Sequence, residues 1–301
     1  MEKIRYKHKK SILFRRSHGE KVVFTLMFAF FFLYAASLLF PFIWLVMSSL
    51  KTGIEFADDI AMGGNAFSLP DVPQFRNYIV AFSKFNYLGV GFFGLMMNSV
   101  IYIAAVTVGS IFFPSVLGYC LSKYTFKLRG VIYGIGIFTM TIPIVGSMGA
   151  AYRLINLLGL YDTRLYLITS LVANFGFNFL IMYGFFQNIS WSYAEAVFVD
   201  GGGHFTVFFR IMLPQARPVF VVLAIMSSVG AWNEYMTMIL YMPSYPTIAS
   251  ALYYVADTLQ KENSMPIYYA LIVWSILPVL VVYAIFADKM MQNMSIGGLK
   301  G

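Results

Sequence analysis

GLMMNSVIYIAAVTVGSIFFPSVLGYCLS, from Gly94 to Ser122, carries no charged side chain. A helix that crosses about 30 Å of hydrocarbon needs roughly 20 such residues, so this run is long enough to span a bilayer. Runs of the same kind lie on both sides of it, over Val22–Leu50, Val131–Ala151, Leu165–Gln187, Val219–Tyr241 and Ile267–Phe286. The chain is 59% apolar and only 11% charged, well outside soluble-globular usage. Lipid offers no hydrogen bonds to open backbone, which leaves helices or a closed barrel. A barrel needs short segments of alternating polarity, and none are present. The fold class read here is therefore an all-α membrane protein, a polytopic bundle of six transmembrane helices.

Lys and Arg in the connecting segments number about 15 on the side of the N-terminus against about 6 on the other, which places both termini in the cytoplasm. The net charge of +8 follows from this topology, not from a nucleic-acid-binding face. Residues 1–21 form a basic tail, and the apolar run after it is too long for a signal peptide, so it reads as an uncleaved first span. The single cysteine, Cys120, reads as a small buried hydrophobe. Two outer segments exceed a simple turn. Residues 51–93 carry Gly63-Gly64-Asn65 and Pro70-Asp71-Val72-Pro73 as turn signals, and residues 242–266 carry Pro243, Tyr245, Pro246, Tyr253 and Tyr254. Each either packs on its own helices or meets another protein.

Function concentrates in the cytoplasmic segment between the fourth and fifth spans. Tyr193 to Val199 has the composition of a short helix, which the run Gly201-Gly202-Gly203 after Asp200 would end in a sharp turn. A second helix then begins. Its residues Phe205, Phe208, Phe209 and Met212 recur at three and four residue spacing and so share one α-helical face, and Pro214 and Pro218 close it before the fifth span. A surface helix-turn-helix with aromatic anchors, Glu195 and Asp200 suits docking into a groove of a soluble partner.

This segment resembles the signature of binding-protein-dependent ABC importer permeases at Glu195, Ala196, Asp200, Gly201, Phe209, Ile211, Leu213, Pro214 and Pro218. It departs at Val197, where the family usually has alanine, and at Gly202, where alanine is again common. Pro143 followed by Leu157-Leu158-Gly159-Leu160-Tyr161-Asp162-Thr163 is similar to the connection between the third and fourth spans of the carbohydrate-uptake branch. Trp232-Asn233-Glu234-Tyr235 and the terminal Gly297-Gly298-Leu299-Lys300-Gly301 are similar to the maltose-type second permease. The resemblance implies a type I importer fold with a permease domain over 94–286, a coupling helix at about 193–203 and a cytoplasmic tail over 287–301. It implies a multi-pass protein of the bacterial plasma membrane that pairs with a sibling permease, a cytoplasmic ATPase dimer and an external substrate-binding protein to import a sugar or oligosaccharide. Coupling to the ATPase would fall to Glu195, Ala196, Asp200, Gly201, Phe205, Phe209, Leu213 and Pro214. No Gly-Lys pair occurs, so the chain has no phosphate-cradling loop, and ATP and Mg would be used by the partner ATPase.

Glu234 is the one carboxylate inside a predicted span. With Trp232, Asn233 and Tyr235 it either lines the translocation pathway or braces a broken helix. Asn98, Asn174 and Asn178 read as interhelical glue. His8, His18 and His204 share no metal-ligand spacing. Among other function classes, another polar cargo for the same type of importer, a channel or a receptor would each be compatible with the spans, but a channel or receptor gives no reason for the cytoplasmic helix-turn-helix. A membrane enzyme would need a convergent set of catalytic groups, and none is legible.

Overall fold

The structure is a computed structural model that describes residues 18–61, 65–141, 147–171 and 175–295. The basic residues up to position 17, Gly63-Gly64, Pro143, Asn174 and the final glycines lie outside the described residues. Helix α1 (His18–Ser49) leads into α2 (Gly53–Ala61), α3 (Arg76–Lys84) and a two-residue hairpin of β1 (Asn86–Tyr87) and β2 (Val90–Gly91), with Asn86 opposite Gly91. Then follow α4 (Phe92–Lys123), α5 (Arg129–Thr141), α6 (Met148–Leu157), a 3-10 helix (Arg164–Leu171), α7 (Phe177–Asn188) and α8 (Ser192–Val199). The chain continues through α9 (His204–Thr206), a π-helical turn (Val207–Met212), α10 (Leu213–Gln215), α11 (Arg217–Asn233), α12 (Met236–Tyr241), α13 (Ile248–Lys261) and α14 (Met265–Ser295).

Among the described residues three helices are long and apolar enough to cross a membrane: Gly19–Ser49, Phe92–Lys123 and Met265–Ala284. A fourth is added if His204–Gln215 and Arg217–Asn233, bent by 69°, count as one span. The other predicted spans are not continuous helices. The run over 131–151 is divided between α5 and α6. The run over 165–187 opens as a 3-10 helix, where the Thr169 hydroxyl donates to Tyr166 O (2.7 Å) and the Ser170 hydroxyl to Leu167 O (2.6 Å). Such side-chain bonds to the backbone compete with the α-helical ladder. The run over 219–241 is interrupted at Glu234, whose backbone is extended (ψ 114°).

Helix α4 is the central element, packed against α7, α11 and the 3-10 helix. Small residues make this possible: a Cβ on Gly118 would lie 2.8 Å from Tyr183 N of α7, so only glycine lets the two backbones meet. Pro114, inside α4, cannot donate to Ser110 O. That carbonyl is bonded instead by Asn178 Nδ2 of α7 at 3.1 Å, the interhelical role expected for this amide. Helix α1 presents its apolar surface outward from Val22 to Ile43, becomes partly buried from Trp44 to its end at Ser49, and packs mainly on α14.

The two long segments predicted to lie outside are more ordered than their turn residues suggest. Residues 51–91 build two helices and a hairpin, and residues 248–261 form α13, started by a capping box of Thr247 and Ser250. Asn77 Nδ2 donates to Ser49 O and Lys51 O (2.8 and 2.9 Å), and Trp44 Nε1 to Ala66 O (2.8 Å), which ties the first segment to the end of α1. Lys51 is buried, with its ammonium on Asp59 Oδ2 and on Ser68 Oγ (2.9 Å), and Ser68 Oγ donates to Asp59 Oδ2 (2.7 Å). The Lys51 ammonium first, and then the Ser68 hydroxyl, hold the Asp59 carboxyl below its ordinary value of 3.8. A depressed carboxylate pKa stabilises the fold above the unfolded value and ceases to do so as pH falls through the folded one. Proteolysis of residues 51–91 is therefore expected to be slow at neutral pH and to accelerate below about pH 4. Asp59→Asn should cleave readily at every pH; a variant as resistant as the parent would show that this ion pair does not anchor the segment.

Candidate functional site

The helix-turn-helix element between the fourth and fifth predicted spans forms as its residues dictate. Helix α8 ends with Asp200 at its C-cap and Gly201 at φ +79°. Gly201 N donates to Phe198 O (3.1 Å) and Gly202 N to Val197 O (2.8 Å), the paired bonds of a Schellman turn. Glu195 sits in the first turn of α8, where the helix dipole favours a carboxylate.

The second half differs from a plain α-helix. Phe205, Phe208, Phe209 and Met212 do not share one face. Val207 to Met212 is a π-turn, whose wider repeat brings Val207 and Met212 to the same side. Val207, Phe208 and Met212 are buried with Ala194, Tyr119, Met182, Phe186 and Leu223. Phe205 and Phe209 stack on each other outside, with ring centroids 6.5 Å apart. Pro214 and Pro218 both lie in the first turns of helices, α10 and α11, where a missing N–H is tolerated, and the 69° bend falls between those helices at Ala216.

The outcome is a two-faced device. Its inner face is packed into the bundle, and its outer face gathers Glu195, Ala196, Asp200, Gly201, Phe205 and Phe209, all exposed, with Tyr193 and Val199 beside them. Val199 is 87% and Phe205 81% exposed, and nothing in the described chain covers them. Leu213 and Pro214, half-buried, belong to the seam between the faces.

A clasp that sequence reasoning missed holds this device to α4. Tyr124, just past the end of α4, has its hydroxyl 2.9 Å from His204 Nδ1 and 3.1 Å from the Tyr119 hydroxyl. Its ring meets Trp191 and His204 edge to face. Lys123 Nζ donates to Ile189 O, so the end of α4 touches both the entry to α8 and the entry to α9. Apart from Tyr119, five residues before Tyr124, each partner is dozens of residues distant in sequence, and no local pattern announces the set.

The four candidate pathway residues separate. Trp232 packs with the buried cluster around Phe85 and Leu271. Asn233 Nδ2 donates to Val229 O of its own helix (2.9 Å). Glu234 Oε1 accepts from Thr237 N (2.9 Å) and so caps the start of α12, the kind of bond a brace of a broken helix makes. Tyr235 stacks on Tyr253 of α13 at 4.8 Å. Another residue of note is Asp162, at φ +53°, whose carboxylate accepts from Ser244 N (2.8 Å) and Ser244 Oγ (2.7 Å) and whose N–H donates to Tyr241 O (2.8 Å). It binds the connection after α6 to the turn after α12.

The family of binding-protein-dependent transport system inner membrane components matches residues 110–292. A probable ABC transporter permease, YurM of Bacillus subtilis, is 29% identical over 92% of this chain and 89% of its own length. The diacetylchitobiose uptake system permease NgcG of Streptomyces coelicolor is 28% identical over 89% of this chain and 86% of its own. In fold the chain is similar to a solved chain of a bacterial ABC transporter involved in import of the acidic polysaccharide alginate, with a TM-score of 0.71 over 91% of this chain and 98% of that one, at 24% identity. The family match covers more than half of the chain, and this chain belongs to the inner-membrane permease components of binding-protein-dependent ABC transport systems.

Proposed function

We propose that the chain forms, with a sibling permease, the translocation pathway through which a sugar or oligosaccharide enters the cell. A cytoplasmic ATPase dimer hydrolyses ATP with Mg, and an external binding protein delivers the cargo. The arrangement read from the basic residues, six crossings with both termini cytoplasmic, belongs to this proposal. The observation that carries it is the exposed face around Val199 and Phe205: large apolar side chains beside two carboxylates, on a scaffold fixed from behind by the core of the bundle. Aromatic and aliphatic anchors of this kind supply most of the energy of a protein interface. Closure of the ATPase dimer would move this element as a lever and switch the pathway from inward-facing to outward-facing. The carbohydrate assignment draws on relatives described as permeases for diacetylchitobiose and for arabinooligosaccharides.

Capture of the tagged chain from detergent-solubilised native membranes should recover a second permease and an ATPase. Recovery of the chain alone, where other complexes survive, would favour a channel or receptor. Trp232, Asn233, Glu234 and Tyr235 remain the proposed pathway segment, with a division of labour. Glu234→Gln keeps the oxygen that caps α12 and is expected to assemble normally, whereas Glu234→Ala should lower the yield of intact complex. A changed KM for cargo in assembled Glu234→Gln would give Glu234 direct contact with the cargo; an unchanged KM would leave it a brace.

A further inference from the structure

We propose that α4 is the rod that carries movement of the cytoplasmic element to the outer surface, with Tyr124 and His204 as the positioning residues of its inner joint. This rests on the importer reading. The segments that continue the element in sequence are poorly suited to the task. Helix α7 is 12 residues long and follows a 3-10 helix, and α11 is separated from the element by the 69° bend at Ala216 and broken again at Glu234. Helix α4 runs unbroken for 32 residues, about 48 Å at the α-helical rise. Its one weak point, the carbonyl orphaned by Pro114, is braced by Asn178.

Both ends of α4 are pinned. Within, Tyr124 and Lys123 hold the entries to α9 and α8, as described above. The buried Tyr119 hydroxyl lies 3.1 Å from that of Tyr124; if it donates there, Tyr124 can donate to His204 Nδ1, and the chain of bonds is complete with a neutral imidazole. At the far end Asn98 Nδ2 donates to Pro246 O (3.0 Å), and Ser99 Oγ accepts from Ile248 N (3.0 Å). Ile248 N is an otherwise orphaned donor of the first turn of α13, so Ser99 fixes where that outer helix begins. A displacement of α8 and α9 therefore reaches α13 through one helix and two sets of hydrogen bonds.

The test uses the complex captured by the tagged chain, with Cys120→Ala and a single new thiol, Asn86→Cys, in the hairpin that precedes α4. ATP hydrolysis and the effect of ATP on the rate of maleimide labelling at position 86 are read together. His204 is exposed, and His204→Ala is expected to hydrolyse ATP normally while the ATP-induced change in labelling falls roughly threefold to tenfold, the equilibrium worth of one hydrogen bond. His204→Asn, which can present an acceptor where Nδ1 sits, should restore the response, and Tyr124→Phe should match His204→Ala. A parent complex that hydrolyses no ATP would sink the importer reading and the rod with it. Hydrolysis without any labelling response in the parent would overturn the rod alone. So would a parental response in His204→Ala or Tyr124→Phe. Loss of hydrolysis in His204→Ala would also overturn it, by making His204 part of the docking face.

Discussion

Exchange of Gly201 for aspartate is expected to reduce ATP-driven uptake to background while the chain still reaches the membrane in normal amount. Gly201 holds φ +79°, and a Cβ there would meet nothing within 4 Å. Aspartate is among the few residues that visit this region, at a cost of about 1–2 kcal/mol, so the Schellman turn should survive. What changes is the exposed face. A third carboxylate joins Asp200 and Glu195 on the surface proposed to meet the ATPase, and burying an unpaired charge costs several kcal/mol, which is several decades of affinity. Gly201→Asn, equally tolerant of the backbone and uncharged, should retain most uptake. Glu195→Ala should act in the same direction more mildly, by roughly tenfold, because it removes a contact without adding a repulsive one. Uptake in cells, normalised to the amount of chain in isolated membranes, measures all three. Parental uptake in Gly201→Asp would remove the turn from the coupling surface.

The parts of the molecule legible in sequence are those whose cause is local. Three glycines after a seven-residue helical stretch can only end it, and α8 does end there. Long uncharged runs announced α1, α4 and α14 because crossing hydrocarbon is a constraint on composition. The apolar run over 219–241 looked continuous because hydropathy does not register a carboxylate that folds back to cap the next helix, as Glu234 does. Helix α13 was hidden behind proline and tyrosine turn signals, although Thr247 three residues before Ser250 is a start signal for it. The π-turn has no composition of its own; it arises because Val207 and Met212 both find room in the core against α4 and α7. The clasp of Tyr124 on His204 is tertiary and spans 80 residues, beyond any periodicity.

The two departures from the family signature, Val197 and Gly202, explain each other, and a double substitution should show it. A Cβ placed on Gly202 would lie 2.5 Å from Val197 Cγ1 and 3.0 Å from Val197 O. The valine methyl thus occupies the space an alanine at 202 would need, and α8 cannot retreat because Gly202 N is bonded to Val197 O at 2.8 Å. Gly202→Ala alone is an overpacking change, expected to destabilise the element by about 1–3 kcal/mol and to weaken coupling with it. Val197→Ala alone removes two methyls from a partly buried site packed on the core, a loss of about 1 kcal/mol. In the double variant the clash with Cγ1 is gone and only the tight approach to the carbonyl remains, so the two effects should fall short of their sum by about 1–2 kcal/mol. Thermal unfolding of the purified complex supplies the energies, and ATP-driven uptake supplies the functional counterpart. Strict additivity would make the two departures independent; the expected shortfall would mean that a chain with valine at 197 requires glycine at 202, and that the docking turn keeps its shape by exchanging bulk between the two positions.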